Sequence, residues 1–297
     1  MPFTTSSVEF ASLGTTLRGW FITGDDSSPQ PTIVMAHGFA GHKEWVRPFA
    51  EALANAGFAC LVYDHACFGD SDGEPRQEVD PWRQVEGYRD AVTFAESLPG
   101  VDADRIGVWG TSFAGGHAIV VGAVDHRVKA VVAQVPLTAG APTLERLIPA
   151  PMWPIVDETI AADRRAQSAG AAPLTIPSSS ADPTEMVAMP GADVYEWLMA
   201  NGPQISTWRN EVTVSSIDKV RTYTPEAFAE RLGTTPIQFI VADGDVLTPV
   251  DLALRAHHTV VGPKHLKILG GSHFSVYEEN FAEAAETAVA FFSDTLG

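Results

Sequence analysis

Short apolar runs without alternation recur along the chain, and stretches with helical spacing separate them. Residues 1–25 alternate weakly and contain Gly14 and Gly19, as an opening hairpin does. Thr32-Ile33-Val34-Met35-Ala36 then reads as a buried strand ending at His37-Gly38. A helix is expected from about residue 43 to 56, stopped by Gly57. Residues 58–63, 105–109, 128–135, 236–242 and 266–269 repeat the strand pattern. Asp80-Pro81 offers a helix cap followed by proline at the first helical position, and Trp82, Val85, Tyr88, Val92 and Ala95 follow at helical spacing. Phe113–Val124 reads as a small-residue helix, another helix starts near Asp251, and a last amphipathic one runs from about Glu278 to the end. Strands apolar on both faces, alternating with helices, predict an α/β fold with a mostly parallel central sheet covered on both sides.

Between residues 137 and 235 the pattern breaks. Prolines recur, a Ser178-Ser179-Ser180 stretch intervenes, and amphipathic pieces occur near 154–165, 194–200 and 225–232. This predicts a helical insertion between two strands of the sheet, leaving 1–136 and 236–297 as the core. The insertion holds four of the six Met and three of the seven Trp (Trp153, Trp197 and Trp208), so it has apolar surface to bury. Those side chains can pack it onto the sheet or line a substrate pocket, and Trp153 and Trp197 are the candidates for the second role. The same surface equally suits a homodimer interface.

At 297 residues with 45% hydrophobic and 19% charged positions, the chain is long enough to bury a full core. Its formal charge of −18 repels phosphate backbones and anionic lipid, which argues against nucleic-acid and membrane partners. Two cysteines, Cys60 and Cys67, make neither a disulfide framework nor a zinc site. No secretory signal and no uninterrupted apolar span is visible, so a cytoplasmic protein is expected.

Gly110-Thr111-Ser112-Phe113-Ala114-Gly115 stands between a strand and a helix, the context a nucleophile elbow requires. Small residues two before and two after the serine let the turn close; here the second is Ala114, with Gly115 just beyond. A serine hydroxyl needs a base, and His273 follows the last strand in Gly270-Gly271-Ser272-His273-Phe274. The base needs a carboxylate to orient it; Asp245 in Ala242-Asp243-Gly244-Asp245 is preferred over Asp243 because it lies deeper in the turn. Donors for a developing oxyanion are expected from the backbone N–H of Phe113 and, in the loop after residue 36, that of Phe39. No metal-ligand spacing or phosphate-binding loop competes, so neither a metal nor a cofactor is expected.

With these motifs in place, the chain resembles the α/β-hydrolases. The HGF loop at His37, the DHACFGDS loop at Asp64–Ser71, the GTSFAG elbow, the ADGD acid loop and the SHF histidine loop fall in family order. Within that superfamily it is similar to the X-prolyl dipeptidyl-peptidase-like and dienelactone-hydrolase-like branch that includes polyketide transferases. The resemblance implies that 137–235 forms a cap over the active site. It also exposes a departure: relatives usually carry Arg and Gly where this chain has Ala66 and Cys67. Cys67 is a minor alternative nucleophile, since no His–acid pair is in register with it. His42 and His65 are expected to border the pocket without acting in catalysis.

The favoured function is a serine hydrolase of carboxylic esters or thioesters acting on a small-molecule acyl substrate through an acyl-enzyme on Ser112. An acyltransferase uses the same intermediate with a different acceptor, and carbon–carbon bond hydrolysis is a minor alternative on this fold. A ligand-binding module on a hydrolase scaffold is the non-enzymatic alternative.

Overall fold

A computed structural model describes residues 3–24 and 28–297. The opening hairpin pairs β1 (Phe3–Ser12) with β2 (Thr15–Gly24) in antiparallel register; residues 1, 2 and 25 of the stretch read as this hairpin lie outside the described residues. It leads into β3 (Gln30–Ala36), α1 (Lys43–Asn55), β4 (Ala59–Tyr63), α2 (Pro81–Glu96), β5 (Val101–Thr111), α3 (Phe113–Val124) and β6 (Val128–Gln134). After the intervening segment come β9 (Ile237–Ala242), α9 (Val250–Thr259), β10 (Lys264–Leu269) and α10 (Phe281–Leu296). The segment itself contains α4 (Gly140–Leu147), α5 (Trp153–Ser168), β7 (Thr175–Ile176), α6 (Ala192–Asn201), β8 (Val212–Thr213), α7 (Ser215–Arg221) and α8 (Glu226–Ala229).

Eight strands form one sheet in the order β1-β2-β4-β3-β5-β6-β9-β10. Only β1 and β2 run antiparallel to their neighbours; every pair from β4 to β10 is parallel. The carboxyl ends of β3, β5, β6, β9 and β10 therefore open on one edge, where loops converge in α/β sheets. On one face α1 and α10 bury Phe49, Leu53, Phe291 and Phe292 against Ile33, Trp109 and Ile240. On the other, α2, α3 and α9 bury Tyr88, Val92, Ile119 and Ala256 against Val34, Val108 and Phe239. Such two-sided burial explains why the strands read as continuous apolar runs.

The caps follow local chemistry. Asp80 accepts hydrogen bonds from the Trp82 and Arg83 N–H groups at 3.1 Å, and Pro81 opens α2. His42 Nδ1 accepts from the Glu44 N–H at 3.2 Å at the head of α1. Two elements differ from the sequence pattern. β5 begins at Val101, four residues before its apolar run, because its polar half is held by pairing of Val101 with Gln30 across a register shift. The last helix begins at Phe281 because residues 273–277 form a separate 3₁₀ turn.

The elements of residues 137–235 make several distinct contacts. α4 and α5 both pack on α7, and β7 pairs with β8 in a short antiparallel ribbon. α6 lays Trp197 against Trp45 of α1, ring centroids 4.9 Å apart, and stacks it on Phe274 at 4.4 Å. α8 packs against α3 and α9, helices that cover the sheet. Trp208 serves packing: its Nε1–H donates to the Ala40 carbonyl at 3.2 Å. No helix among the described residues is long and apolar enough to cross a membrane.

Candidate active site

The turn from β5 into α3 places Ser112 at φ 57°, ψ −121°, a conformation L-residues seldom adopt and one that lifts the side chain out of the sheet. The crossing is tight: a Cβ on residue 110 would fall 2.0 Å from the Ala114 carbonyl oxygen, so the strand can pass only as glycine. The Ser112 N–H donates to the Gln134 carbonyl at 2.8 Å, and its carbonyl accepts from the Leu137 N–H at 2.9 Å. Both bonds tie the strained turn to β6 and its exit loop.

From the end of β10, His273 reaches Ser112: Nε2 lies 3.0 Å from Oγ. On its other side the Nδ1–H donates to Asp245 Oδ2 at 2.6 Å. The Asp245 carboxylate, itself buried, accepts the Leu247 and Thr248 N–H groups on Oδ1 at 2.9 and 2.8 Å. Thr248 Oγ1 lies 2.7 Å from Oδ2 and 2.9 Å from the Val135 carbonyl. Nothing in the sequence singled out Thr248, although a hydroxyl three residues beyond a loop Asp is a recognisable turn partner. Asp243 does different work, accepting the Gly271 N–H at 3.0 Å and tying the acid loop to the histidine loop.

The loop after β3 passes directly over Ser112. A Cβ on residue 38 would lie 2.8 Å from Ser112 Cβ and 3.2 Å from Oγ, so only glycine fits. Phe39 and Phe113 meet edge to face at 5.9 Å, and among the described residues no acceptor occupies either backbone N–H. His37 anchors this loop. Its Nε2 accepts the His65 N–H at 3.1 Å, which leaves Nδ1 as the protonated nitrogen, donating to the Gly38 carbonyl at 2.9 Å.

His65 does not border the pocket. Its ring is buried between Tyr63, His37 and His117, with centroids 5.4, 4.8 and 5.6 Å away, and neither ring nitrogen finds a partner. His42 is also buried, with Nε2 3.1 Å from Thr207 Oγ1. Neither lines a cavity that contains Ser112. Burial pushes the Cys67 thiol up while Arg83 Nη1, 3.2 Å from Sγ, works the other way, and Cys67 lines neither cavity at Ser112. Its φ of 75° lies in the left-handed region, a strained conformation for any residue but glycine.

Burial holds the histidine stack neutral. It depresses His37 to about 4 and His117 to about 3, and pushes His65 well below its ordinary value. The unfolded chain then takes up protons near 6.5 that the native state refuses, so stability falls as pH drops from about 6.5 toward 4. Each such histidine contributes up to about 1.4 kcal/mol per pH unit across that window. Urea unfolding at stepped pH checks this, and His65→Leu should flatten the slope by about one histidine's share; an unchanged slope would show that His65 titrates normally.

Two cavities meet at Ser112. One, about 40 Å³, is walled by Phe39, Phe113, Leu144, Met189, Ile217 and Leu247. The other, about 30 Å³, is lined by Trp45, Trp197, Phe274 and Tyr277, and it alone of the two includes His273. Trp197 therefore stands at the site. Trp153 does not: it lines a separate surface cleft with Glu145 and Asp157, under the Arg221 guanidinium 4.5 Å from its ring centroid.

Among the described residues the side chains grouped like metal ligands are His42, Asp64 and Asp70, whose ligand atoms lie within 4.8 Å of one another. The Lys43 ammonium bonds both carboxylates and supplies the positive charge there.

The family description "alpha/beta hydrolase fold" matches residues 31–172. The chain is 35% identical over 251 residues to the quorum-quenching protein AidA of Acinetobacter baumannii, covering 83% of this chain and 80% of that protein. It is 33% identical over 305 residues to the thiohydrolase aneE of Aspergillus aculeatus, covering 99% and 94%. It superposes on the crystal structure of the α/β-hydrolase GrgF from Penicillium with a TM-score of 0.85 at 27% identity, over 100% and 99% of the two chains. The chain belongs to the α/β-hydrolase family. It is an enzyme of the hydrolase class.

Proposed function

We propose that the protein is a serine hydrolase of carboxylic esters or thioesters that works through an acyl-enzyme on Ser112. His273 Nε2 takes the Ser112 proton as Oγ attacks the acyl carbon, and the Phe39 and Phe113 N–H groups receive the oxyanion. Asp245 holds the imidazole with Nδ1 protonated and stabilises the imidazolium. His273 then gives its proton to the departing alcohol or thiol, and water, deprotonated by the same nitrogen, releases the acid. What carries this reading is the unbroken contact from Ser112 Oγ through His273 to Asp245, at 3.0 and 2.6 Å.

The two cavities divide the substrate. Because His273 borders only the aromatic one, the leaving group belongs there and the acyl group in the apolar one. Residues 137–235 supply walls to both and act as a cap over the serine. The resemblance to a thiohydrolase favours a thioester donor. Acyl transfer is the second reading, favoured by the aromatic lining beside His273, which gives an organic acceptor a place to stand before the acyl-enzyme. Two buried, unpaired cysteines suit a reducing compartment, the cytoplasm.

A fluorophosphonate probe tests the core of this. It is expected to label the wild-type protein and not Ser112→Ala, with His273→Ala labelling far more slowly. Equal labelling of wild type and Ser112→Ala would place the nucleophile elsewhere.

A further inference from the structure

We propose that the acyl cavity beside Ser112 is the inner half of a longer channel, gated by Leu147 and Ile217, so that the enzyme is selective for extended acyl chains. This rests on the serine acyl-enzyme reading above and adds to it where the far end of the acyl group goes.

Leu147 at the end of α4 and Ile217 in α7 line the cavity at Ser112, and both also line a second cavity beyond it. They are the shared wall between the two. The second cavity is the larger, about 570 Å³ against about 40 Å³ next to the serine. Its lining is largely apolar, with Ile148, Met152, Val156, Ile160, Met186 and Val214 among its walls and Glu185 as its one charged side chain. Val156, Ile160 and Val214 are buried members of the main core, while residues 183–185 at the far side are exposed. The far cavity is thus rooted in packed side chains at its inner wall and open to water at its outer lip.

The methionines of the far cavity suit a flexible aliphatic ligand, since thioether side chains repack at low cost around different shapes. A short acyl group is satisfied beside Ser112 and gains nothing from the second cavity. A chain that passes between Leu147 and Ile217 exchanges water for apolar wall, and burial of even two methylenes is worth about tenfold in affinity. That energy acts on the acyl portion whatever the leaving group. The occupant is therefore an uncharged aliphatic tail with its thioester or ester carbonyl at Ser112. A second carboxylate at the tail end is disfavoured by Glu185.

The test uses p-nitrophenyl esters of butanoate, octanoate and dodecanoate with the full-length enzyme. Wild type is expected to favour dodecanoate over butanoate in kcat/KM by at least about tenfold. Ile217→Trp narrows the gate, and Met186→Trp fills the far cavity without lining the inner one; each is expected to reduce the dodecanoate-to-butanoate ratio by about tenfold or more, chiefly through KM. Because the readout is a ratio within one preparation, partial loss of folded protein cancels. A wild-type preference for butanoate, or variants that lower all three substrates in proportion, would overturn the channel. Absence of any Ser112-dependent turnover, with no fluorophosphonate labelling, would instead overturn the acyl-enzyme reading on which it rests.

Discussion

Ser112→Ala is expected to lose on the order of 10⁶-fold in kcat on an activated ester, and Asp245→Asn about 10⁴-fold, with little change in thermal unfolding for either. The asparagine case is the more informative. Asn Oδ1 can still accept the Leu247 and Thr248 N–H groups now bonded at 2.9 and 2.8 Å, so the acid loop keeps its shape. The amide nitrogen then faces His273 Nδ1, where Asp245 Oδ2 now accepts at 2.6 Å. Two donors cannot share that contact, so the imidazole moves its proton to Nε2 and presents N–H to Ser112 Oγ. A protonated Nε2 cannot act as base. Asp243→Asn serves as the contrast: its one bond, to the Gly271 N–H, survives the change, and kcat should stay within a few fold. Steady-state kinetics on a p-nitrophenyl ester checks all three. An Asp245→Asn enzyme within tenfold of wild type would show that the orientation of His273 does not depend on this carboxylate.

Much of this arrangement is legible in the sequence because each group sits where a buried strand runs out. A parallel sheet brings those ends to one edge, so the apolar runs before Ser112, Asp245 and His273 already place their loops together. Asp245, the deeper residue of the acid loop, meets the histidine, and Asp243, the shallower one, ties two loops. Illegible features are those set by orientation across elements. Trp153 and Trp197 look alike in sequence, yet α6 turns Trp197 onto Phe274 while α5 turns Trp153 toward Arg221. The strain at Cys67 and the neutral stack of His37, His65 and His117 depend on how the 64–71 loop folds against the loop after β3, which no local pattern records. The far cavity likewise takes its walls from α4 and α5 together with α7, which lies far along the chain from both.

Lys43→Met is expected to destabilise the protein by about 3–5 kcal/mol, because it strands a buried carboxylate. Asp64 is fully buried at the end of β4, and Lys43 is 2% exposed. The lysine Nζ donates to Asp64 Oδ2 at 2.6 Å and bonds Asp70 as well, while lying 4.8 Å over the Trp20 ring. Burial works against the charged form of Asp64, but His42 and Lys43 more than offset it, and its carboxyl lies below the usual range. The pair is not symmetric. Asp64 also accepts the Lys43 and Asp70 N–H groups at 2.8 and 3.0 Å, so Asp64→Leu leaves two backbone donors unpaired. Lys43, by contrast, keeps half-exposed Asp70 when Asp64 is lost. Asp64→Leu should therefore be the worse single change, and the double variant should recover part, not all, of the loss. The consequence reaches the chemistry. This ion pair closes the 64–71 loop onto the head of α1, and the same loop donates the His65 N–H that fixes His37 beneath Gly38 and Phe39. A Lys43→Met protein assayed well below its melting temperature should thus show reduced kcat along with a lowered urea midpoint. Full stability in that variant would mean that Asp64 is neutral or solvated in the native state.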